Sequence, residues 1–226
     1  MGAMSEMPAD WKERIGLDKV YDVAGPEGNR RLYASWAETY ESGFVVDSGY
    51  VYHRQAAEVF CEEFALLDQP VLDVGCGTGI VGAELARLGV SVIDGIDISP
   101  EMLAEAEAKT HDSRPLYRRL IEADLTASTA LADRAYAGIV SSGAFTHGIF
   151  GPETISELLR AARPQARFAL GINSAHFDKA GFGDWLQQRQ STGLITGLRF
   201  DLRPIYAGAD ESDPDQWSCI AVFAAV

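Results

Sequence analysis

The 226-residue chain has 19 Lys and Arg side chains against 33 Asp and Glu, which gives a formal net charge of −14 and a sequence pI of about 4.6. Nucleic acids and anionic membranes both bind basic surfaces, so this acidic balance argues against either as a partner. No apolar run reaches the roughly 18 residues of a membrane-spanning helix, and three scattered cysteines are typical of reduced thiols in a cytoplasmic protein.

The first 29 residues are predicted to be a lead-in to one folded domain. The first four residues resemble the remnant of an expression vector, and the following stretch is short, polar and broken by Gly25-Pro26. Residues 30–226 are enough for one sizeable α/β domain and show no break in composition. Within this domain, residues 30–67 are predicted to form N-terminal helices and residues 70–226 the core.

Aromatic side chains at Tyr33, Trp36 and Tyr40 recur with spacings of three and four, which places them on one face of a helix. These rings pack on the core, or they form an aromatic wall beside a cationic ligand group. Residues 43–52 are then predicted to be a mobile loop, and residues 53–67 a helix that leads into the first strand.

A strand, a glycine-rich turn and a helix follow one another after residue 70. The run from Val71 to Val74 is predicted to be a short strand buried on both faces. Gly75, Gly77 and Gly79 permit a sharp turn with positive φ and let a ligand approach the backbone closely. The helix that follows directs free N–H groups and a positive dipole end to the same point. This segment is therefore predicted to bind a polar or anionic part of a cofactor.

The spacing of this turn disfavours a dinucleotide. The G-x-G-x-x-G fingerprint counted from Gly75 needs a small residue at the sixth position, where this chain has Ile80. Asp73 has no role in that fingerprint, and it is predicted to face an ammonium group or to accept N–H bonds from the turn. Cys76 is predicted to be a small filler, because no nearby His or basic residue would make it a thiolate.

Two further acids follow predicted strands. Asp97 ends the second strand, twenty residues after Gly77, where a βαβ unit places an acid that binds the two hydroxyls of a ribose. The alternative is that Asp97 is only a second capping aspartate. Ser99 as N-cap and Pro100 at the first helical position are predicted to begin the next helix. Asp124 ends a third short apolar run. Carboxylates accept hydrogen bonds and never donate them, so the three acids suit a ligand that offers an ammonium, a diol and an amino group.

The segments from Asp73 to Gly79 and from Asp97 to Leu103 resemble the first two motifs of the class I S-adenosylmethionine-dependent methyltransferases. The pattern Tyr33-x-x-Trp-Ala-x-x-Tyr40 resembles the lid of the small-molecule members, particularly the Williams-Beuren-region methyltransferase-like proteins. The resemblance implies a Rossmann-like three-layer α/β sandwich with an N-terminal helical lid. Its seven-stranded sheet would have the order 3-2-1-4-5-7-6, with strand 7 antiparallel.

The same resemblance implies the cofactor S-adenosyl-L-methionine, with S-adenosyl-L-homocysteine as the product. The glycine turn would hold the methionine portion, Asp97 the ribose and Asp124 the adenine amino group, while the Leu125 N–H would bond a ring nitrogen. The residues implied to bind the cofactor are Asp73, Gly75, Gly77, Gly79, Asp97, Ile98, Met102, Asp124, Leu125, Ser141, Tyr33, Trp36 and Tyr40.

The fourth strand, residues 136–143, begins Tyr-Ala where the family commonly has Phe-Asp. A fifth strand at 168–172 follows, and a final hairpin pairs residues 198–206 with 218–226. Strands one and four are expected to be neighbours whose crossover helices lie on opposite faces, so the loop after residue 141 opens into the crevice at this switch point. The acceptor is expected to meet the methyl group there.

The reaction that the resemblance implies is in-line displacement of a methyl group from a sulfonium, which needs a general base only if the acceptor is protonated at neutral pH. His147, after the fourth strand, is the first candidate for that base; His176 is the second and His53 the third. Each of these histidines has the alternative of a surface or capping role. No His, Cys and Asp cluster has the spacing of metal ligands, so no metal is predicted.

Three functions stay open on the sequence. The favoured one is methyl transfer to a small-molecule acceptor by a cytoplasmic monomer or dimer that binds neither nucleic acid nor membrane. The second is a protein that binds S-adenosylmethionine without catalysis. The third is a nicotinamide-dependent oxidoreductase, against which Ile80 argues.

Overall fold

The computed structural model describes residues 25–63, 65, 67–127, 131–146 and 149–226. The helices are α1 (Gly25–Trp36), α2 (Tyr52–Glu63), α3 (Ile80–Arg87), α4 (Pro100–Glu107), α5 (Thr154–Ala161), α6 (Ser174–Ala180) and α7 (Phe182–Ser191). The strands are β1 (Val71–Val74), β2 (Ile93–Asp97), β3 (Thr110–His111), β4 (Arg114–Pro115), β5 (Arg119–Glu122), β6 (Tyr136–Phe145), β7 (Ala162–Asn173), β8 (Ile195–Pro204) and β9 (Trp217–Ala225). Among these helices, none is both long and apolar enough to cross a bilayer.

Strand β1 lies inside a seven-stranded sheet with the order β5-β2-β1-β6-β7-β9-β8. It pairs in parallel with β2 and β6, so Asp73 lies beside Gly95 on one side and Val140 on the other. Strand β9 is antiparallel to both of its neighbours. If the separate hairpin of β3 and β4 is left out of the count, the order is 3-2-1-4-5-7-6 with strand 7 antiparallel. The predicted fold class is therefore confirmed.

Apolar side chains form two cores, and successive residues of a strand contribute to different ones. Val71 of β1 joins the cluster that includes Leu85 of α3, whereas Leu72 joins the cluster that includes Leu158 of α5. Successive side chains of a strand point to opposite faces of the sheet, so helices cover the sheet on both sides. This arrangement is the expected three-layer sandwich, and it leaves the carboxyl ends of the parallel strands available for a site.

The N-terminal segment differs from its prediction. Helix α1 begins at Gly25, inside the predicted lead-in. Pro26 does not prevent this start, because a proline in the first helical turn loses no hydrogen bond. The chain then continues through a 3₁₀ turn, Ala37–Thr39, and a π-helical turn, Tyr40–Val45. Tyr50 forms an isolated antiparallel bridge with Tyr206. The segment predicted to be a loop, residues 43–52, is therefore helical at its start and a turn with one bridge from residue 48 to 51. The prediction for residues 1–24 lies outside the described residues.

Three other boundaries shift. Helix α2 ends at Glu63 rather than at residue 67, and β5 ends at Glu122, two residues before Asp124. Strand β7 begins at Ala162, before the predicted start at residue 168, and runs through Pro164. Ala162 pairs with Tyr136, and the register then shifts before Arg167 pairs with Gly138, so the proline lies at an irregularity of the ladder.

Candidate functional site

The glycine turn connects β1 to α3 with the backbone conformation that its sequence predicts. Gly75, Gly77 and Gly79 have φ values of 65°, 52° and 90°, and Gly79 is the N-cap of α3. A Cβ atom on Gly75 would lie 2.5 Å from the Cβ of Ala144, so the turn also needs glycine for its approach to β6. The N–H groups of Gly75 and Cys76 donate to the carbonyl of Ile96 at 2.8 and 3.1 Å. These bonds hold the turn against the end of β2.

A cavity opens above this turn, and it brings together most of the residues predicted to bind the cofactor. Its walls include, from that predicted set, Tyr33, Tyr40, Gly75, Gly77, Asp97, Ile98, Met102 and Leu125. Cys76 also lines it, and burial raises the pKa of this thiol well above its usual value. A protonated, buried thiol agrees with the filler role predicted for Cys76.

Asp97 ties the glycine turn to the helix that follows β2. Its Oδ2 accepts the Gly77 N–H at 2.9 Å, and its Oδ1 accepts the Ser99 N–H at 2.9 Å. The Ser99 hydroxyl in turn accepts the Met102 N–H, which confirms Ser99 as the N-cap of α4. Burial raises the pKa of Asp97, although these N–H bonds to its carboxylate oppose that change. A carboxylate has about four acceptor sites, so both oxygens keep capacity for ligand hydroxyls in the cavity.

Asp73 lies beneath the turn and does not line the cavity, so neither predicted role matches its position. The side chain is fully buried, and Oδ2 accepts the Tyr117 hydroxyl at 2.7 Å. Oδ1 has no hydrogen-bond partner among the described residues. Burial raises the pKa of Asp73 to about 7, against the opposing effect of the Tyr117 hydrogen bond. The N–H bond of the turn that Asp73 was expected to accept goes to Asp97 instead.

Asp124 also turns away from the cavity. Its Oδ1 accepts both the N–H and the hydroxyl of Thr126, at 2.8 and 2.6 Å, which closes a local Asx turn. Its neighbours Ala123 and Leu125 do line the cavity. Leu125 is therefore part of the lining, whereas Asp124, whose carboxylate was assigned to the adenine amino group, is not.

Two more residues predicted to bind the cofactor, Ser141 and Trp36, contact other parts of the protein and do not line the cavity. The buried Ser141 hydroxyl donates to the Val74 carbonyl at 2.8 Å and so fastens β6 to β1, while Ser142, Gly143 and Ala144 line the cavity in its place. Trp36 is not part of the lining. Its ring stacks on Phe44 at a centroid distance of 6.0 Å, and Tyr40 stacks on the same Phe44 at 5.1 Å. Of the three predicted aromatics, Tyr33 and Tyr40 line the cavity and Trp36 does not.

Two of the three candidate bases, His53 and His176, do not line the cavity. His147 lies outside the described residues. His176 has its Nε2 2.8 Å from the carbonyl oxygen of Phe150, and its N–H donates to the N-cap side chain of Asn173. His53 stacks on Tyr50 at 5.6 Å, and burial lowers its pKa to about 4. His176 and His53 therefore support neighbouring residues rather than line the site.

A second, smaller chamber adjoins the cavity above the glycine turn, and no sequence pattern predicted it. The two share Tyr33, Tyr40, Tyr50 and Gly143. The remaining walls of the second chamber are Phe44, Tyr52, Phe145, Thr146, Asn173, Ile205 and Tyr206. No local motif indicated Tyr50 or Tyr206, because their pairing joins residues far apart in the chain.

Comparisons with known proteins agree with this geometry. A family described as Methyltransferase domain matches residues 71–165, which is less than half of the chain. The chain is 37% identical over 93 residues to Methyltransferase-like protein 27 of Homo sapiens, and the match covers 39% of this chain and 35% of that protein. The match thus spans about a third of the length of this curated relative.

Solved structures share the fold at low identity. A putative methyltransferase of Haloferax volcanii, in complex with the Trm112 methyltransferase activator, is 17% identical with a TM-score of 0.60, over 85% of this chain and 97% of that one. An Aquifex aeolicus SAM-dependent methyltransferase is 19% identical with a TM-score of 0.57, over 84% and 97%. The [4+2]-cyclase SpnF is 14% identical with a TM-score of 0.62, over 90% and 98%.

These structural likenesses show the fold alone, while the family match covers the segment that builds the glycine turn and Asp97. Residues 71–165 are therefore similar to the family described as Methyltransferase domain, and the chain shares the fold of solved S-adenosylmethionine-dependent methyltransferases.

Proposed function

We propose that this protein transfers a methyl group from S-adenosyl-L-methionine to a small-molecule acceptor by in-line displacement. The observation that carries the proposal is the position of Asp97, which is bonded to the glycine turn and also lines the cavity. A fixed carboxylate beside a turn without side chains suits a ribose diol next to the polar end of an amino acid.

The lining residues fit the parts of this cofactor. Asp97 would accept bonds from the ribose hydroxyls, and Ile98 and Met102 would pack on the adenine. The turn from Gly75 to Gly79 would hold the methionine portion with its backbone N–H groups. Tyr33 and Tyr40 would lie toward the sulfonium, where aromatic faces attract positive charge.

When bound, the cofactor supplies a methyl carbon attached to a positively charged sulfur. Held by Asp97 and the glycine turn, the cofactor would supply this methyl group to a lone pair of the acceptor, and the sulfur would keep the electron pair of the C–S bond. The chain's own contribution is to hold both groups in line and to exclude water. Positioning of this kind can lower a barrier by about 7 to 11 kcal/mol.

If the acceptor carries a proton at neutral pH, a base is needed, and we propose His147 for that role. The His147→Ala variant is expected to lower kcat by about 100-fold or more, because general-base catalysis is worth roughly that factor. Cofactor affinity is expected to stay within about threefold of the parent, since the base contacts the acceptor. Labelled-methyl transfer and calorimetry measure the two quantities.

The His111→Ala variant is the matched control, because His111 lies in the exposed β3 strand, and it is expected to retain full activity. Full activity of the His147→Ala variant as well would exclude His147 as the base.

The second candidate function is binding of S-adenosylmethionine without methyl transfer. One structure with this fold is that of a [4+2]-cyclase, so the fold does not by itself require methyl transfer. A metabolite screen with tritiated cofactor separates the two functions, because only a methyltransferase moves the label to an acceptor. A nicotinamide oxidoreductase is the least favoured function, and thermal stabilisation by NAD but not by S-adenosylhomocysteine would reinstate it.

The remaining features of the proposal rest on composition. A net charge of −14 favours a small-molecule acceptor over a nucleic acid and gives no attraction to an anionic membrane. We further propose a cytoplasmic monomer or dimer in which residues 30–226 form the single catalytic domain and residues 30–67 its lid. This lid is proposed to be related to the lid of the Williams-Beuren-region methyltransferase-like proteins.

A further inference from the structure

We propose that the second chamber binds the ring of an uncharged, planar aromatic acceptor. This inference rests on the proposed function, because it names the acceptor class for the same site. It starts from the composition of the chamber walls and from the residues that the chamber shares with the cofactor cavity.

The described walls of the second chamber contain aromatic rings and no Asp, Glu, Lys, Arg or His side chain. A charged ligand group would lose its hydration there without gaining an opposite charge, and the cost of burying an unpaired charge is large. The one carboxylate on the described walls of the two adjoining spaces, Asp97, lies on the proposed cofactor side. The acceptor portion that enters the second chamber is therefore uncharged.

The hydroxyls of three tyrosines on the chamber walls, Tyr40, Tyr50 and Tyr52, stay protonated and neutral. Burial raises the pKa of Tyr50 to about 12 and raises the pKa values of Tyr40 and Tyr52 well above the usual value. The chamber thus offers neutral hydroxyl groups at the edges of apolar rings. Such surfaces suit a flat ring that carries a single polar substituent.

The rings are arranged at angles that accept another ring. Phe44 lies 5.5 Å from Tyr50 at 50° and 6.5 Å from Tyr206 at 75°, and Tyr50 lies 6.0 Å from Tyr206 at 64°. Aromatic pairs prefer offset or edge-to-face contacts at these separations. A planar ligand can therefore continue the same packing, whereas a puckered aliphatic ring cannot.

Tyr50 and Gly143 form the junction between the two spaces. The Tyr50 hydroxyl lies 3.2 Å from the Ser142 hydroxyl, which lines the cofactor cavity, and His53 supports the Tyr50 ring by stacking on it. A Cβ on Gly143 would come within 3.1 Å of the Tyr50 hydroxyl. The absence of a side chain at Gly143 leaves room for the Tyr50 hydroxyl where the two spaces adjoin.

The test measures binding of four probes of matched size by calorimetry, with and without saturating S-adenosylhomocysteine. The probes are para-cresol, para-hydroxybenzoate, para-hydroxybenzylamine and para-methylcyclohexanol. We expect para-cresol to bind at least about tenfold more tightly than the anion and the cation, and about fivefold more tightly than the cyclohexane analogue. Equal or tighter binding of either charged probe, or no binding of para-cresol under both conditions, would overturn the proposal.

The Phe44→Leu variant keeps an apolar wall but removes a ring, and it is expected to weaken para-cresol binding about fivefold or more while its affinity for S-adenosylhomocysteine stays unchanged. Phe200→Leu is the control, because Phe200 is partly exposed on β8, outside both cavities. Unchanged para-cresol binding by the Phe44→Leu variant counts against the chamber as the ring site. Loss of S-adenosylhomocysteine binding by the parent protein would refute the proposed function instead, and the cofactor-free titration would still test the chamber.

Discussion

The Asp97→Ala variant is expected to lose at least about 100-fold in affinity for S-adenosylmethionine. Hydrogen bonds to a charged group contribute about 1.5 to 3 kcal/mol each, and the variant would lose those to the two ribose hydroxyls. It would also leave the N–H groups of Gly77 and Ser99 without their acceptor, so the glycine turn would lose its fixed geometry. Calorimetric titration with S-adenosylhomocysteine measures the effect.

The Asp124→Ala variant provides the matched control for this prediction. It removes the same charge from a position whose carboxylate is bonded to Thr126 and lies outside the cavity lining. We expect its affinity to fall by no more than a few-fold. If the Asp124→Ala variant lost affinity as severely as the Asp97→Ala variant, the adenine role implied by the family resemblance would be restored and the placement of this carboxylate refuted.

The Asp73→Asn variant is expected to be more stable than the parent protein above pH 7. Burial raises the pKa of Asp73 from 3.8 to about 7 in the folded protein. Between about pH 4 and pH 7 the folded state therefore binds more protons than the unfolded state, so the free energy of unfolding falls as the pH rises. A difference of about three pKa units corresponds to at most about 4 kcal/mol.

Asparagine keeps an oxygen that can accept the Tyr117 hydroxyl but cannot ionise. We expect a gain of about 1 to 3 kcal/mol at pH 8, because the buried amide N–H groups offset part of the benefit. At pH 4 the two proteins should differ little or the variant should be less stable. Urea unfolding across this pH range measures both, with Asp112→Asn as the control at an exposed turn. If the difference in free energy of unfolding between the parent and the Asp73→Asn variant stayed constant between pH 4 and 7, Asp73 would already be ionised in the folded protein.

Local sequence was sufficient for the elements whose geometry is set within a few residues. The positive φ angles of Gly75, Gly77 and Gly79 follow from glycine itself, and the N-cap at Ser99 follows from its position before Pro100. The strand order was available because the family resemblance fixed which predicted strands are neighbours. The predicted position of Asp97 at a strand end was enough to place it beside the turn.

The orientation of each acidic side chain could not be predicted from the local sequence. Asp73, Asp97 and Asp124 all follow or end short apolar runs, yet only Asp97 lines the cavity. Asp73 accepts a hydrogen bond from Tyr117, 44 residues further along the chain. The two residues meet because both are buried beneath the turn. Asp124 instead finds a donor two residues away in Thr126, because β5 ends earlier than its apolar run.

The sequence by itself therefore determined the layered fold, the turn that approaches a ligand and the acid beside that turn. Only the tertiary structure decided which side chains line the two adjoining cavities, as the contact of Tyr50 with Tyr206 and that of Ser141 with Val74 illustrate. Spacing along a chain specifies which face of an element a residue occupies. The partner that fixes a side chain there comes from elements that are distant in sequence, and packing alone brings them together.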